Sequence, residues 1–355
     1  MNKLIRKALI GECKFLFFYV RGSHILQVQF LYLFMYFLIV FFSNCSYHNN
    51  SLKILFAGDL MLDRGTKVTI KKNTPSFLFE SVKHLLISTD FSIANLECVI
   101  CDTSLRPLDK KFVFQANPEW LSTIHDNGIT HVTVANNHSF DFGEEGLHQT
   151  ISNLKKFGIY PIGDNSENGT MCLPTIIEKT GIHLAVFSSC FFQQNNTLTC
   201  NETASILSEN IRVFKKGHPD YFIFVCLHWG IEQNTTPSAV QIEQAHSIIN
   251  SGADAIIGHH PHVVQTIENF KGKYIFYSIG NFIFDNNHPP SNSGIFTIFS
   301  LSKNGIAPVE IIPFTIVHSK PILMNIEESK MFMKELSSVS KDIKLKQYDS
   351  LWKLF

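Results

Sequence analysis

The 355-residue chain has no surplus of charge of either sign: thirty Lys and Arg balance thirty Asp and Glu. That excludes the basic footprint of a nucleic-acid partner and the solvating acidic tail of a disordered chain. Only 17% of residues are charged and 45% are apolar, the balance of a folded body that also carries an apolar segment. The eight cysteines lack the repeated CxxC spacing of a structural zinc site. Cys98-Val99-Ile100-Cys101 is a lone CxxC; it reads as two unrelated thiols at a strand end, with a redox pair or disulfide as the alternative. No internal repeat and no linker interrupts the chain after residue 50.

The N-terminal fifty residues have a different character. Lys3, Arg6, Lys7, Lys14 and Arg21 are opposed by Glu12 alone, and an uninterrupted apolar run follows from Phe30 to Phe42. Basic residues followed by an apolar block is the order of an export signal. The run is short for a membrane span, which needs about 20 residues, and suits a signal better; reaching back to Ile25 gives span length but includes Gln27 and Gln29. Phe42-Ser43-Asn44-Cys45 looks like a loose bacterial lipobox, with Phe42 and Asn44 departing from its usual residues. Residues 1–50 are therefore expected to be a lipoprotein signal or an N-terminal anchor. Either tethers the rest outside the cytoplasm, in the cell envelope.

From residue 51 onward strands and helices alternate, which predicts an α/β fold with parallel or mixed sheets. Strands are expected at Leu52–Asp59, Asp90–Glu97, Ile129–Val134, Ile159–Gly163, Tyr221–Leu227 and 253–257. Thr175–Glu178 and Ile182–Ser188 read as an antiparallel pair turning at Thr180-Gly181. Helices are expected at Phe77–Leu86, Pro118–Asn127, Glu144–Phe157 and Pro237–Asn250, and residues 191–205 as a polar loop. The stretch 263–314 reads as β-rich. The domain is expected to span 51–318, followed by a helical extension over 319–355.

Potential ligands stand at five strand ends: Asp59, Glu97, Asn137 with His138, His228, and His260 with His262. In open α/β sheets such ends meet at one edge, where ligands bind. Gly258-His259-His260-Pro261-His262 is the densest of them, three imidazoles on a proline-stiffened loop, and neutral imidazole is the commonest metal ligand. Each residue alone is as easily a cap or a satisfied core side chain; five strand ends together point to a divalent cation. Mixed carboxylate, amide and imidazole donors suit Mn, Fe or Zn without distinguishing them.

Six stretches carry a resemblance: Gly58-Asp59-Leu60-Met61-Leu62-Asp63-Arg64, Asn95-Leu96-Glu97, Ala135-Asn136-Asn137-His138-Ser139-Phe140-Asp141-Phe142-Gly143, His228-Trp229-Gly230-Ile231-Glu232, Gly258-His259-His260-Pro261-His262-Val263-Val264-Gln265 and Tyr277-Ser278-Ile279-Gly280-Asn281-Phe282. In this order they resemble the CapA, or poly-γ-glutamate capsule biosynthesis, family within the calcineurin-like metallophosphoesterases. The resemblance implies a four-layer sandwich, two mixed β-sheets flanked by helices. It implies Asp59, Glu97, Asn137, His228, His260 and His262 as metal ligands, with Glu97 in the bridging position. It further implies His138 as the group that orients or protonates a leaving group, and Arg64 as a partner for an anionic substrate. The substrate it implies is an anionic polymer or phosphoester. The surroundings it implies are the membrane and other capsule-synthesis proteins. One position departs from the wider superfamily, which carries Asp-x-His at the first motif where this chain has Asp59-Leu60-Met61; methionine is a poor ligand for hard cations. The resemblance accommodates two roles, a metal-dependent hydrolase or a non-catalytic assembly component that keeps the fold.

Overall fold

Alternating faces along the central strands decide how the layers stack. A computed structural model describes residues 51–165, 172–192, 197–349 and 351–355; the expected signal or anchor at 1–50, with Cys45, lies outside them. In β1 (Leu52–Leu60) every side chain but that of Lys53 is buried. Leu52, Ile54 and Phe56 join one core, and Leu55, Ala57 and Leu60 join another. A strand buried on both faces must be covered on both.

The strands that follow in the first half are β2 (Phe91–Leu96), β3 (His131–Thr133) and β4 (Tyr160–Ile162), with helices α1 (Arg64–Lys72), α2 (Trp120–Asp126) and α3 (Gly143–Lys156) between them. Next come β5 (Thr175–Lys179), β6 (Ile182–Cys190), α4 (Ala204–Gly217), β7 (Phe222–His228), α5 (Ala239–Asn250) and β8 (Ala255–His259). The last part holds β9 (Ile267–Phe270), β10 (Lys273–Phe276), β11 (Asn281–Ile283), β12 (Ser293–Ser302), β13 (Val309–Val317), β14 (Lys320–Leu323), α6 (Ile326–Val339), β15 (Leu345–Tyr348) and β16 (Leu351–Leu354).

Two mixed sheets result. One runs β15-β16-β13-β12-β1-β2-β3-β4 and the other β9-β10-β8-β7-β6-β5. Strands β1 to β4 are mutually parallel, as are β6, β7, β8 and β10. Ile54 and Phe56 of the first sheet pack against Val186, Phe224, Cys226 and Ile257 of the second. The outer face of the first sheet takes Ile70, Leu121, Ile124, Leu147 and Leu154 from its helices. On the second, Ile223, Val225 and Leu227 meet Leu207 and Ile211 of α4 and Ile248 of α5. The order helix, sheet, sheet, helix is the four-layer sandwich expected.

Three expectations need correction. Residues 77–86 are not one helix but a 3₁₀ turn, Pro75–Phe79, and a single turn at Lys83–Leu86. Leu78, Phe79, Val82 and Leu86 are buried there, so the apolar spacing reports packing rather than a continuous ladder. Helix α4 begins at the end of the stretch expected to be a polar loop, where Thr203 caps it by accepting from the Ile206 amide. The last thirty-seven positions are not a helical extension. They hold one helix and three strands, and β14 and β16 both pair with β13, which makes this segment part of the large sheet.

Cys98 and Cys101 are free, buried and split by the short strand Val99–Ile100. Burial pushes both thiols up, so they are packed and protonated, not a redox pair. Cys172 and Cys200 form a disulfide instead, their Cα atoms 5.5 Å apart. Among the described residues no helix is long and apolar enough to cross a membrane.

Two glycines set how closely the central strands approach. A Cβ on Gly58 would lie 1.9 Å from the Gly280 carbonyl oxygen, and one on Gly258 would lie 1.9 Å from that of Tyr277. Gly58 immediately precedes the ligand candidate Asp59, and Gly258 precedes the buried His259. Gly58→Ala is therefore expected to lower stability by about 3 kcal/mol, the upper end for overpacking a close-packed interior. Urea unfolding of the variant checks this, and a midpoint equal to wild type would mean that β1 and its neighbour can move apart freely.

Candidate metal centre

Because the central strands are parallel, their carboxyl ends share one edge. Asp59 lies near the end of β1, Glu97 directly follows β2, Asn137 follows β3 by a short turn, and His228 and His259 close β7 and β8. Asp59, Glu97, His228, His259, His260 and His262 are all buried. The loop after β8 is strained: His260 and His262 have φ of 95° and 58°, a region that side chains other than glycine rarely adopt. The surrounding packing holds it there, and it delivers two imidazoles to the carboxylates.

The distances are those of shared coordination rather than of hydrogen bonding. Glu97 Oε1 lies 3.6 Å from His262 Nε2, 3.9 Å from His228 Nε2 and 4.0 Å from His138 Nε2. Those are too long for hydrogen bonds. Two ligand atoms each about 2.1 Å from one ion sit roughly 3.4 Å apart at a tetrahedral angle. His260 Nδ1 is 3.2 Å from His228 Nε2, which is 2.8 Å from Asn137 Oδ1. Glu97, His228 and His260 form one ligand triad and Asp59, Glu97 and His262 a second, with Glu97 common to both.

Buried polar atoms test whether a cation fits. Neither carboxylate oxygen of Glu97 receives a hydrogen bond, and neither does Asp59 Oδ2. His262 Nδ1 is 3.2 Å from Asp59 Oδ2 but also 3.0 Å from Asn281 Oδ1, and a single ring nitrogen carries only one hydrogen. Buried charge left without partners costs several kcal/mol, so these oxygens call for a cation. The described residues fit a divalent ion, or a pair of them bridged by Glu97.

The electrostatics divide the cluster into two parts. Burial alone would raise Asp59, but the His259 and His262 imidazoles beside it outweigh burial and hold its carboxyl well below the usual range. Burial, reinforced by Asp59, pushes Glu97 well above it, against the pull of His262. His262 is driven up to about 10: burial disfavours its charge, and the neighbouring Glu97 and Asp59 outweigh burial. Asp59 sustains that direction, because it stays ionised while Glu97 is held toward its neutral form. Burial depresses His228, and His260 falls to about 3 for the same reason, helped by His262. Neutral imidazole is the form that binds metal.

His138 sits beside the cluster rather than in it. Its Nδ1 is 2.8 Å from Asp141 Oδ2. Asp141 also accepts from the Phe114 amide at 2.9 Å and from Lys110 Nζ at 2.8 Å. A carboxylate so anchored fixes the ring and leaves Nε2 facing Glu97. The Phe114 ring covers the imidazole, 4.1 Å between centroids. Arg64 stands one ring further out: its guanidinium is 5.7 Å over Phe114, and its Nε pairs with Asp285 at 3.1 Å.

Several contributors were not assigned from sequence. Asn95 donates to Asp59 Oδ1 at 2.9 Å and lies 3.3 Å from His228 Nδ1; it stands two residues before Glu97, hence on the same side of an extended strand. His259 Nδ1 lies 3.3 Å from Asp59 Oδ1. Asn281, on β11 beside β1, orients His262. Met61, at the departing position, is buried with its sulfur 3.1 Å from the Asp63 amide.

Layering and ligand edge together define a four-layer α/β sandwich with a candidate metal centre at the carboxyl ends of its strands. Residues 53–286 match the family described as bacterial capsule synthesis protein PGA_cap, and the chain belongs to that family. It is 27% identical to the capsule biosynthesis protein CapA of Bacillus anthracis, covering 82% of this chain and 75% of that one. It is 29% identical to the PGA biosynthesis protein CapA of Bacillus subtilis (strain 168), covering 78% and 74%. Among solved structures, a phosphatase from Mycoplasma pneumoniae superposes with a TM-score of 0.48 at 14% identity, covering 75% of this chain and 94% of that one.

Glu97→Gln separates a cation site from an ordinary buried acid. Without metal the variant should be at least as stable as wild type, since it removes a buried acid that no donor satisfies. Excess Mn²⁺, at about 100 times the wild-type Kd, should stabilise wild type by about 2.7 kcal/mol and the variant far less. Thermal melts measure both; an equal metal-induced rise in the two proteins would remove Glu97 from the centre.

Proposed function

We propose that the protein is a metal-dependent hydrolase of phosphoester type that acts in the synthesis or export of a capsule or poly-γ-glutamate-type polymer. The observation that carries this reading is the Glu97 carboxylate, wholly buried, lacking any hydrogen-bond donor, and ringed by His228, His260 and His262. Divalent ions held there would supply Lewis acidity and an activated water. Asn137, whose Oδ1 lies 2.8 Å from His228 Nε2, would join it as an amide ligand; Asn95 would fix His228 from its Nδ1 side, and Asn281 would fix His262. His138, locked by Asp141 with Nε2 toward the cluster, would hand a proton to the departing oxygen. Lys110, bonded to the Asn137 carbonyl at 2.9 Å and to Asp141, would tie the proton donor to the ligand loop.

A non-catalytic role in polymer assembly is the second reading. It is favoured by Met61, whose sulfur is spent on a backbone amide at a position where phosphoesterases place a ligand.

We place the domain outside the cytoplasm, tethered by residues 1–50. The Cys172–Cys200 disulfide supports this, because such bonds persist in oxidising compartments. Cells lysed in a thiol-alkylating agent without reductant should yield protein with both cysteines unmodified; alkylation of Cys172 and Cys200 would argue for a reducing location.

The full chain, purified in detergent and reconstituted with Mn²⁺, is expected to hydrolyse p-nitrophenyl phosphate and to lose that activity on chelation. His138→Ala should lower kcat by about 10²- to 10⁴-fold, the usual worth of a positioned acid, while metal affinity stays within about 3-fold. A metal-loaded wild-type protein without activity on this ester would favour the assembly role.

A further inference from the structure

Glu232 is an exposed carboxylate that the reading above leaves unused, yet its backbone is fastened to the histidine loop from both sides. Before it, Trp229 donates from its amide to the His259 carbonyl at 3.1 Å and from its indole to the Tyr277 carbonyl at 2.9 Å. Gly230, at φ 89°, turns the chain where a Cβ would meet the Gln241 side chain at 2.7 Å. After it, the Gln233 amide donates to the Pro261 carbonyl at 2.8 Å, and Gln265 Nε2 donates to the Asn234 carbonyl at 2.8 Å. Two anchors on each side of one residue are more than a surface turn needs.

The side chain they present has no hydrogen bond or ion pair among the described residues. One of its carboxylate oxygens nevertheless lies within 4.8 Å of ligand nitrogens of both His260 and His262, which themselves are equally close. This third triad shares His260 with the first and His262 with the second, while Glu97 joins those two. The three close into a ring whose outer side is Glu232.

Resting on the metal centre proposed above, we infer that Glu232 is a metal ligand, closing the solvent-facing side of the centre beside His260 and His262. A carboxylate arriving from the β7 loop supplies a hard oxygen donor, which suits Mn or Fe as well as Zn. Its exposure fits a ligand that is last to bind and that shares its ion with solvent.

The test is metal binding by the full chain, followed by calorimetry with Mn²⁺ and by the visible absorption of bound Co²⁺. Glu232→Gln keeps the shape and removes the charge. It is expected to weaken the affinity about 10- to 100-fold, the range for disturbing a metal site, and to change the Co²⁺ spectrum. Glu232→Asp should recover most of the loss. The metal-free melting temperature should match wild type, since the residue is exposed. The loss should persist in 1 M salt, where the screening length is about 3 Å; an effect that vanishes there would make Glu232 a distant charge and overturn the assignment. Unchanged affinity and spectrum in Glu232→Gln would overturn it too, while leaving the centre standing if wild type binds metal. If wild type takes up no divalent ion, the hydrolase reading falls together with it.

Discussion

A buried carboxylate without a donor is the constraint around which this protein is arranged. Glu97 leaves β2 at the point where the two sheets' parallel strands end, and imidazoles from the second sheet approach it to 3.6–3.9 Å without bonding it. Hydrophobic burial brings the sheets together, through residues such as Ile54, Phe56, Phe224 and Ile257. The polar edge is carried along by that packing. Its own interactions are incomplete, so the fold delivers an electrostatic deficit to a fixed place, and a cation is what balances it.

Holding that edge in register takes structural concessions on both sides. Gly58 and Gly258 let a neighbouring carbonyl occupy the space of a Cβ one residue before Asp59 and His259. His260 and His262 accept left-handed backbone around Pro261. Left-handed residues other than glycine cost about 1–2 kcal/mol each, a strain that only rigid surroundings sustain. The hydrogen bonds from Asn95, Asn281 and the Gln233 amide supply part of that rigidity. Those of Asn95 and Asn281 connect one sheet's ligands to the other's, and that of Gln233 ties the two histidine-bearing loops of the second sheet together.

Much of this was legible in the sequence because strand-end polar residues interrupt otherwise apolar runs. Asp59, Glu97 and His228 each end a run of buried residues, and no core role explains a charged or imidazole group there. The parallel arrangement then follows from strands that alternate with helices. What could not be read was anything set by pairing at a distance. Asn95 lies inside an apolar strand, and only the approach of Asp59 and His228 gives it a role. The strands after residue 319 depend on the one edge of β13 left free by β12, which β14 and β16 share, so their own weak pattern reads equally well as helix. The Cys172–Cys200 bridge is likewise a product of the fold: eight cysteines without regular spacing specify no pairing. Arg64 matches its motif, yet Asp285, more than two hundred positions later, decides where its guanidinium points.

The protons of the cluster bear on how a cation would enter. Depressed His228 and His260 are already in the ligating state, whereas His262 is held protonated against Asp59 and Glu97 is held toward its neutral form. The triad that includes Glu97, His228 and His260 thus has both imidazoles in the ligating form and only Glu97 pushed toward its neutral one. The triad of Asp59, Glu97 and His262 must also release the His262 proton, breaking the ion pair that steadies Asp59. Metal binding that displaces protons weakens as pH falls, and the second triad has more to displace. The same residues that look like one symmetric pocket are thus two unequal ones. The half built on neutral imidazoles is ready for an ion, and the half built on Asp59 and His262 trades an internal ion pair for one.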